Sequence, residues 1–176
     1  MRGLVMGRFQ PFHNGHLNLV RQVLEECDDI IIAVTGSQFN YIRMDPFTAG
    51  ERIEMIRNSL LESDVEPHRY MILGVENQPN VSTWLSYLRA ALPPFDVVYS
   101  GNEYVAMLLA DSGIAVVSPK MFSRQTLNAT AIRDMMVQGD GWRDLVPAPV
   151  SRMVDSIDGT ERLRTIIKSD TDPTTH

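Results

Sequence analysis

The sequence predicts an α/β protein built on a doubly wound parallel five-stranded sheet, Rossmann-like in arrangement, with a small C-terminal helical extension. Short apolar runs rich in β-branched residues alternate with amphipathic segments of helical period. Such runs are typical of strands buried on both faces, and their alternation with helices is typical of parallel sheets. At 176 residues, 44% of them hydrophobic, the chain suits one compact domain. We expect this domain to span residues 1–169, with the sheet core in 1–119, the helical extension in 120–169 and a loose polar tail in 170–176.

The first half of the chain is expected to supply three strands and two helices. A short apolar run predicts the first strand, and the amphipathic segment after residue 16 predicts the first helix. Thr48 and Glu51 form a capping box, which marks the start of the second helix. In chain order the predicted elements are strand 4–6, helix 17–26, strand 29–35, a loop at 36–45, helix 48–61 and strand 70–75.

The second half continues this alternation and then becomes entirely helical. Asn80 or Ser82 is expected to start a helix that Pro93 and Pro94 must end. Gly113 is a natural stop for the helix that follows. The predicted elements are strand 96–100, helix 102–112 and strand 114–118, and then helices at 128–138, 150–156 and 159–167.

Composition and charge narrow the possible functions. A formal net charge of −6 argues against extended nucleic-acid binding, which needs a basic face. A local group of arginines (Arg8, Arg43, Arg124 and Arg133) within an acidic protein suits a small anionic substrate. Cys27 is the single cysteine, so we expect no internal disulfide and no thiolate metal cluster. The sequence shows neither a leader nor an apolar run of transmembrane length, and we therefore expect a cytoplasmic protein without membrane contacts.

The most informative stretch is the loop at residues 7–16, Gly-Arg-Phe-Gln-Pro-Phe-His-Asn-Gly-His, between the first strand and the first helix. This order places backbone N–H groups and a positive helix end against a phosphate. Gly15 lets an anion approach the backbone closely. His13 and His16, three residues apart, share one side of the loop–helix junction and can donate hydrogen bonds to phosphate oxygens. Together with Arg8, they favour a phosphate site over a surface loop with two incidental histidines.

Two further segments are expected beside this loop. Ligands of doubly wound sheets bind beyond the carboxyl ends of the strands, where Ser100-Gly101-Asn102 also lies. Thr130 and Arg133 place a hydroxyl and a guanidinium in the first turn of the helix after the sheet, which forms a second anion site. Taken alone, that pattern fits an ordinary capped helix with an exposed arginine, but beside the histidine loop it favours binding of a second phosphate.

These motifs resemble the signatures of the nucleotidylyltransferase superfamily. His13-Asn14-Gly15-His16 is similar to the H-x-G-H signature, and the segment up to Arg133 is similar to S-S/G-T-x-x-R, with Asn128 and Ala129 at its first two positions. The strings at 7–13, 46–52 and 93–102 are similar to archaeal-type nicotinamide-nucleotide adenylyltransferases. The resemblance covers most of the chain. It implies transfer of AMP from ATP to the 5′-phosphate of nicotinamide mononucleotide (NMN), which yields NAD and pyrophosphate.

The chemistry that this resemblance implies needs no general base, because a phosphate monoester is already largely dianionic at neutral pH. Catalysis then reduces to positioning and charge neutralisation around the α-phosphorus. We assign catalysis to His13, His16 and Arg133, with His16 at the α-phosphate and the other two on the leaving pyrophosphate with Thr130. The expected ATP-binding residues are Gly7, Arg8, Phe9, His13, His16, Gly101, Asn102, Arg124, Thr130 and Arg133, and the expected acceptor-binding residues are Arg8, Arg43, Asn77 and Trp84.

We expect Mg²⁺ as the cofactor, bridging the triphosphate oxygens and held mainly by substrate and water, because no acidic cluster suggests a dedicated metal cage. The partners are then the small molecules ATP and NMN. The resemblance also implies a homo-oligomer, specifically a hexamer.

Three departures from the family pattern lie on the acceptor side. Asn40-Tyr41 replaces a Ser-His pair, Asn77 replaces an Asp, and Val81 replaces an Asn. These departures leave open the same transfer to another phosphate monoester, such as phosphopantetheine or FMN. A separate alternative is a non-catalytic nucleotide-binding regulatory protein. The string from Lys120 to Ser123 is partly similar to the K-M-S-K-S loop of class I aminoacyl-tRNA synthetases, but the chain has no room for a tRNA-reading domain.

Overall fold

The computed structural model describes residues 1–120 and 128–169. The strands are β1 (Arg2–Gly7), β2 (Asp29–Thr35), β3 (Tyr70–Val75), β4 (Val97–Tyr99) and β5 (Ala115–Val117). The helices are α1 (Asn14–Glu26), α2 (Ala49–Leu61), α3 (Trp84–Ala91), α4 (Glu103–Leu109), α5 (Ala129–Gln138), α6 (Ala148–Ser156) and α7 (Gly159–Lys168). Short 3₁₀ turns occupy Pro67–Arg69, Val81–Thr83 and Trp142–Leu145.

All strand pairs are parallel, and the sheet order is β3-β2-β1-β4-β5. The predicted fold class, a doubly wound five-stranded sheet with a helical extension, is confirmed. The chain moves outward from β1 through β2 to β3 and then crosses back to place β4 on the other side of β1. The strand order therefore reverses at β1, and the loops after β1 and β4 border the crevice where such sheets bind ligands.

The second strand, β2, is buried on both faces of the sheet. Ile30, Ile32 and Val34 belong to the larger apolar core, whereas Ile31 and Ala33 belong to the smaller core on the opposite face. Each of these side chains is fully buried, as the continuous apolar run predicted. Helices α1, α2 and α5–α7 contribute to the larger core, and α3 and α4 to the smaller one.

The predicted elements all occur, with differences at their ends. The helix predicted at 102–112 is shorter, Glu103–Leu109, and the fourth and fifth strands each contain three residues. Asn80 caps the 3₁₀ turn that precedes α3, because its Oδ1 accepts a hydrogen bond from the Ser82 N–H at 3.0 Å. The turn at Trp142–Leu145 was not predicted, and the predicted tail at 170–176 lies outside the described residues. No helix in the described part of the chain is long and apolar enough to cross a membrane.

A buried guanidinium joins α2 to the ends of the two central strands. Arg52 has no exposed surface. All four of its hydrogen bonds go to backbone carbonyls: Nε donates to Thr48 at 3.2 Å, Nη1 to Arg8 at 2.8 Å and to Thr35 at 2.9 Å, and Nη2 to Gly36 at 3.1 Å. Since buried carbonyls need donors, Arg52 fixes the backbone that leaves β1 and β2.

Replacing Arg52 with alanine should therefore lower the free energy of unfolding by about 3 kcal/mol or more, because several buried carbonyls lose a charged donor and a cavity remains. Urea unfolding measures this change. Arg57→Ala, on the exposed face of the same helix, is the matched control and should change the free energy by less than about 0.5 kcal/mol. Equal effects of the two substitutions would contradict the bracing role of Arg52.

Candidate functional site

A cavity of about 380 Å³ lies between the loop after β1, the residues after β5 and the starts of α1 and α5. This volume is in the range of small-molecule sites. The described lining contains no carboxylate and includes three cationic side chains; it consists of Arg8, Phe9, Gln10, His13, Gly15, His16, Leu19, Pro119, Lys120, Asn128, Ala129, Thr130 and Arg133. An acidic protein with a positively charged cavity is suited to an anionic ligand.

Two helix N-termini meet at this cavity. Helix α1 follows His13 as its N-cap, and α5 follows Asn128, whose Oδ1 accepts a hydrogen bond from the Ala131 N–H at 2.8 Å. Gly15 and Thr130, in the first turns of the two helices, both line the cavity. Because the first amides of a helix carry partial positive charge, each terminus favours a phosphate group.

The two signature histidines stack on one another. Their ring centroids are 3.5 Å apart and their planes are inclined by 21°. Phe9 meets the His16 ring edge-on at 4.8 Å, and Phe12 stacks on it at 5.5 Å. The His13 backbone N–H donates to His16 Nδ1 at 3.2 Å, which leaves the imidazole proton on Nε2 as a donor.

Both histidines are neutral at physiological pH. Burial lowers the pKa of His13 to about 4. Burial, and secondly the adjacent His13, lowers the pKa of His16 well below its usual value. The pair therefore acts through hydrogen-bond donation, and the positive charge of the cavity comes from the arginines and Lys120.

Phe9 is held in an uncommon backbone conformation beside these rings. Its φ angle is +51°, in the left-handed region that bulky residues rarely adopt, and its side chain is buried. A Cβ atom at Gly7 would lie 2.9 Å from the Phe9 ring, so glycine is needed there. Gly7 and Phe9, expected to bind ATP, thus also support the position of His16, and Gly7 lies outside the described lining.

Arg133 and Thr130 come together as predicted. Arg133 Nη1 donates to the Gln10 carbonyl at 2.7 Å, and Nη2 lies 3.4 Å from Thr130 Oγ1 and 3.8 Å from Met44 Sδ. Arg133 is buried, so the alternative of an exposed helix arginine is wrong. Its guanidinium has no carboxylate hydrogen-bonded to it among the described residues, which leaves its charge available to a ligand.

Sequence reasoning assigned no role in the site to Gln10 or Lys120, two polar residues of the lining. The Gln10 side chain pairs with the Phe47 backbone, accepting from its N–H at 3.0 Å and donating to its carbonyl at 2.9 Å. A glutamine within an apolar string was the available signal, because a buried amide needs such partners. Lys120, set aside with the synthetase-like string, also lines the cavity.

The expected acceptor residues lie outside the described lining of this cavity. Arg43 is exposed in the loop after β2. Burial is the main cause that lowers the pKa of Arg133, and the positive charges of Arg8 and Arg43 lower it further. Asn77 follows β3, and its backbone pairs with the Gln38 side chain at 3.1 and 3.2 Å. Trp84 is partly buried at the start of α3 against the smaller core.

The remaining predicted ATP residues follow β4 or fall outside the described chain. Gly101 and Asn102 are exposed, and Asn102 caps α4 by accepting from the Tyr104 N–H at 3.0 Å. They are not part of the described cavity lining. Arg124 lies outside the described residues. Within the described part of the chain, no group of three or more His, Cys, Asp or Glu side chains is arranged to hold a metal ion.

Comparison with known proteins finds relatives along the whole chain. The cytidylyltransferase-like family model matches residues 4–135. The chain is 47% identical over 174 residues to the nicotinamide-nucleotide adenylyltransferase of Caldivirga maquilingensis, with 98% of each chain covered. It is 41% identical over 174 residues to the protein of that name from Pyrobaculum arsenaticum, again with 98% of each covered. For the protein of that name from Methanolobus tindarius, the identity is 38% over 171 residues, with 97% of each covered.

Solved structures agree on the fold. A bifunctional NMN adenylyltransferase/ADP ribose pyrophosphatase from Francisella tularensis superposes with a TM-score of 0.75 at 16% identity, covering 98% of this chain and 58% of that chain. The structure of such a Francisella enzyme complexed with AMP and a manganese ion gives a TM-score of 0.73 at 16% identity, covering 98% and 57%. At this identity the likeness concerns the fold alone.

The burial of His13 should make stability fall as the pH is lowered. The unfolded chain takes up a proton near pH 6.5, whereas folded His13 does so only near pH 4, so unfolding binds a proton between these values. From pH 7 to pH 5, wild type should therefore lose about 2 kcal/mol more free energy of unfolding than His13→Asn does. Urea unfolding at the two pH values measures the difference. The exposed His68, replaced by asparagine, is the control and should keep the wild-type slope; parallel behaviour of His13→Asn would refute the argument.

Proposed function

The chain belongs to the nicotinamide-nucleotide adenylyltransferase family, and we propose that it transfers AMP from ATP to the 5′-phosphate of NMN, giving NAD and pyrophosphate. The family resemblance predicted from the motifs is confirmed, and the relatives make the protein a nucleotidyltransferase enzyme rather than a non-catalytic binding protein. The observation that carries the proposal is the meeting of both signatures, the histidine pair and the Thr130–Arg133 turn, at one cationic cavity.

The reaction joins the acceptor phosphate to the α-phosphate of ATP and releases pyrophosphate. An oxygen of the acceptor phosphate attacks the α-phosphorus of ATP, and the bond from that phosphorus to the β-phosphate oxygen breaks, so pyrophosphate departs with the electron pair. No proton needs to be removed, because the acceptor phosphate is already charged. We assign the His16 Nε2–H to the α-phosphate, where negative charge grows in the transition state.

The leaving pyrophosphate is assigned to the other groups of the cavity. His13 is a neutral donor, Thr130 and the N-terminus of α5 supply hydroxyl and amide donors, and Arg133 supplies charge. Lys120 joins this set because it lines the same cavity. Neutral histidines suit a site that must release its product, since they hold a phosphate without adding full positive charge.

We assign the two substrates to opposite sides of β1. Gly101 and Asn102 follow β4 on one side, where we assign the adenosine. Arg43 and Asn77 follow β2 and β3 on the other side, and Trp84 begins the helix after β3; there we assign the acceptor. Arg8 lies between the two groups and can reach phosphates of either substrate.

We assign Mg²⁺ to the triphosphate. The described lining of the cavity has no carboxylate, and this fits a cation held by substrate oxygens and water rather than by side chains. Such an ion would neutralise charge on the triphosphate. The manganese-containing Francisella structure supports a divalent metal in this fold.

The oligomeric state is proposed from the family resemblance and from the exposed surface. We propose a homo-oligomer, for which the family resemblance implies a hexamer, and the exposed Tyr104 and Met107 of α4 offer apolar surface for contacts between copies. The cytoplasmic location and the lack of nucleic-acid and membrane partners stay predictions from the sequence.

His16→Ala should lower kcat for NAD formation by about 10²–10³-fold and change the KM for ATP much less, because the lost donor acts mainly in the transition state. Pyrophosphate release at saturating NMN, measured over a range of ATP concentrations, gives both constants. His68→Ala, the exposed histidine, should keep wild-type values. Near-wild-type turnover of His16→Ala would remove His16 from the catalytic group.

The acceptor is tested at Trp84. A cationic nicotinamide ring over an indole gains about 0.5–2 kcal/mol, so Trp84→Ala should raise the KM for NMN several-fold and leave the KM for ATP nearly unchanged. Nicotinic acid mononucleotide should also react, because Asn77 lacks the charge that would exclude its carboxylate. If FMN or phosphopantetheine gave a higher kcat/KM than both mononucleotides, the reaction class would stand and the named acceptor would not.

A further inference from the structure

A buried carboxylate lies beside the phosphate cavity with one oxygen unused. Asp45 is 4% exposed. Its Oδ1 has no hydrogen-bond partner among the described residues, and its Oδ2 lies 3.7 Å from Arg8 Nη1. Because a buried anion without full hydrogen bonding costs free energy, this arrangement needs a compensating interaction or a function.

The compensating charges are three guanidinium groups. Arg8 forms the ion pair, and the charge of Asp45 also acts on Arg52 and Arg133. These last two arginines donate to carbonyl, hydroxyl and thioether acceptors. One anion, Asp45, thus acts on three cations, and the group keeps an excess of positive charge for a ligand.

The three arginines differ in their freedom to move. Arg52 and Arg133 are buried and hydrogen-bonded to backbone, whereas the Arg8 side chain is 46% exposed and lines the cavity. The distance of 3.7 Å between Arg8 Nη1 and Asp45 Oδ2 exceeds hydrogen-bond length, so this ion pair is weaker than one with a direct hydrogen bond. A ligand phosphate can therefore draw Arg8 away from Asp45, because Arg8 is the partly exposed arginine of the group.

We propose that Asp45 is a placeholder counter-ion: it orients Arg8 in the empty site, gives Arg8 up to a substrate phosphate, and thereby limits the affinity of the cavity for phosphate anions. The Asp45 backbone is fixed for this role by a turn in which its N–H donates to the Ile42 carbonyl at 3.0 Å. The role rests on the proposed function, in which pyrophosphate must leave after every turnover. A site that bound substrate and product more tightly by the same factor would gain no rate from it.

The test measures equilibrium binding and does not need turnover. Asp45→Asn keeps the side-chain shape and removes the charge, so the Kd of pyrophosphate and of ATP, measured by isothermal titration calorimetry, should fall by about three- to tenfold. A residue that only maintained structure would raise Kd instead. Asp111→Asn, on an exposed residue after α4, changes the net charge equally and should leave both Kd values unchanged.

A double-mutant cycle isolates the role of Arg8. If Asp45 acts partly by holding Arg8, the gain from Asp45→Asn should be smaller in an Arg8→Met background, giving a nonzero coupling between the two positions. Asp45→Ser provides a second charge-removing variant, and thermal melting followed by circular dichroism checks that each protein is folded. Unchanged or weaker binding in the folded variants would overturn the proposal, as would failure of both variants to fold. Tighter pyrophosphate binding combined with no NAD formation by wild type would retain the counter-ion and reject the adenylyltransferase function.

Discussion

The geometry of the site depends on one buried cation, the guanidinium of Arg52. It supplies N–H groups to the carbonyl of Arg8 after β1 and to those of Thr35 and Gly36 at the end of β2. Without this fully buried guanidinium, these carbonyls at the end of the parallel sheet would lose a donor. With the Arg8 carbonyl fixed, the next residue, Phe9, can be held at a positive φ angle and press its ring against His16.

Helix α2, which contains Arg52, is also bound to α7 near the C-terminal end of the described chain. Thr48 and Glu51 form the predicted capping box, and Glu51 also receives two hydrogen bonds from Arg162 of α7, at 2.7 and 2.9 Å. Both side chains of this pair are largely buried, so the bidentate geometry is worth more than an exposed ion pair. Arg162 of α7 is thereby bound to the first turn of α2, and it also donates to the Pro46 carbonyl, which precedes that helix, at 3.3 Å.

The sequence predicted the features that rest on local pattern. The apolar run Asp29–Thr35 indicated a strand buried on both faces, and the spacing of His13 and His16 indicated a shared binding side. Arg52 and Asp45 escaped prediction because their roles depend on partners far away in sequence, and a single arginine in a helix usually indicates an exposed side chain. The burial of Arg133 also depends on distant partners and was not predicted, although the motif identified the residue itself.

One of the departures from the family pattern, Tyr41, has a physical explanation. Tyr41 stands where the family has His, adopts a φ angle of +55°, and lies under the Arg162 guanidinium at 4.7 Å. Since Arg162 is fixed by Glu51, the tyrosine ring attaches the loop after β2 to α7. That loop carries Arg43 and ends at Asp45, so this contact positions both the expected acceptor arginine and the counter-ion of Arg8. A histidine ring offers a smaller face to a cation, and the exchange for tyrosine therefore favours an ordered loop after β2.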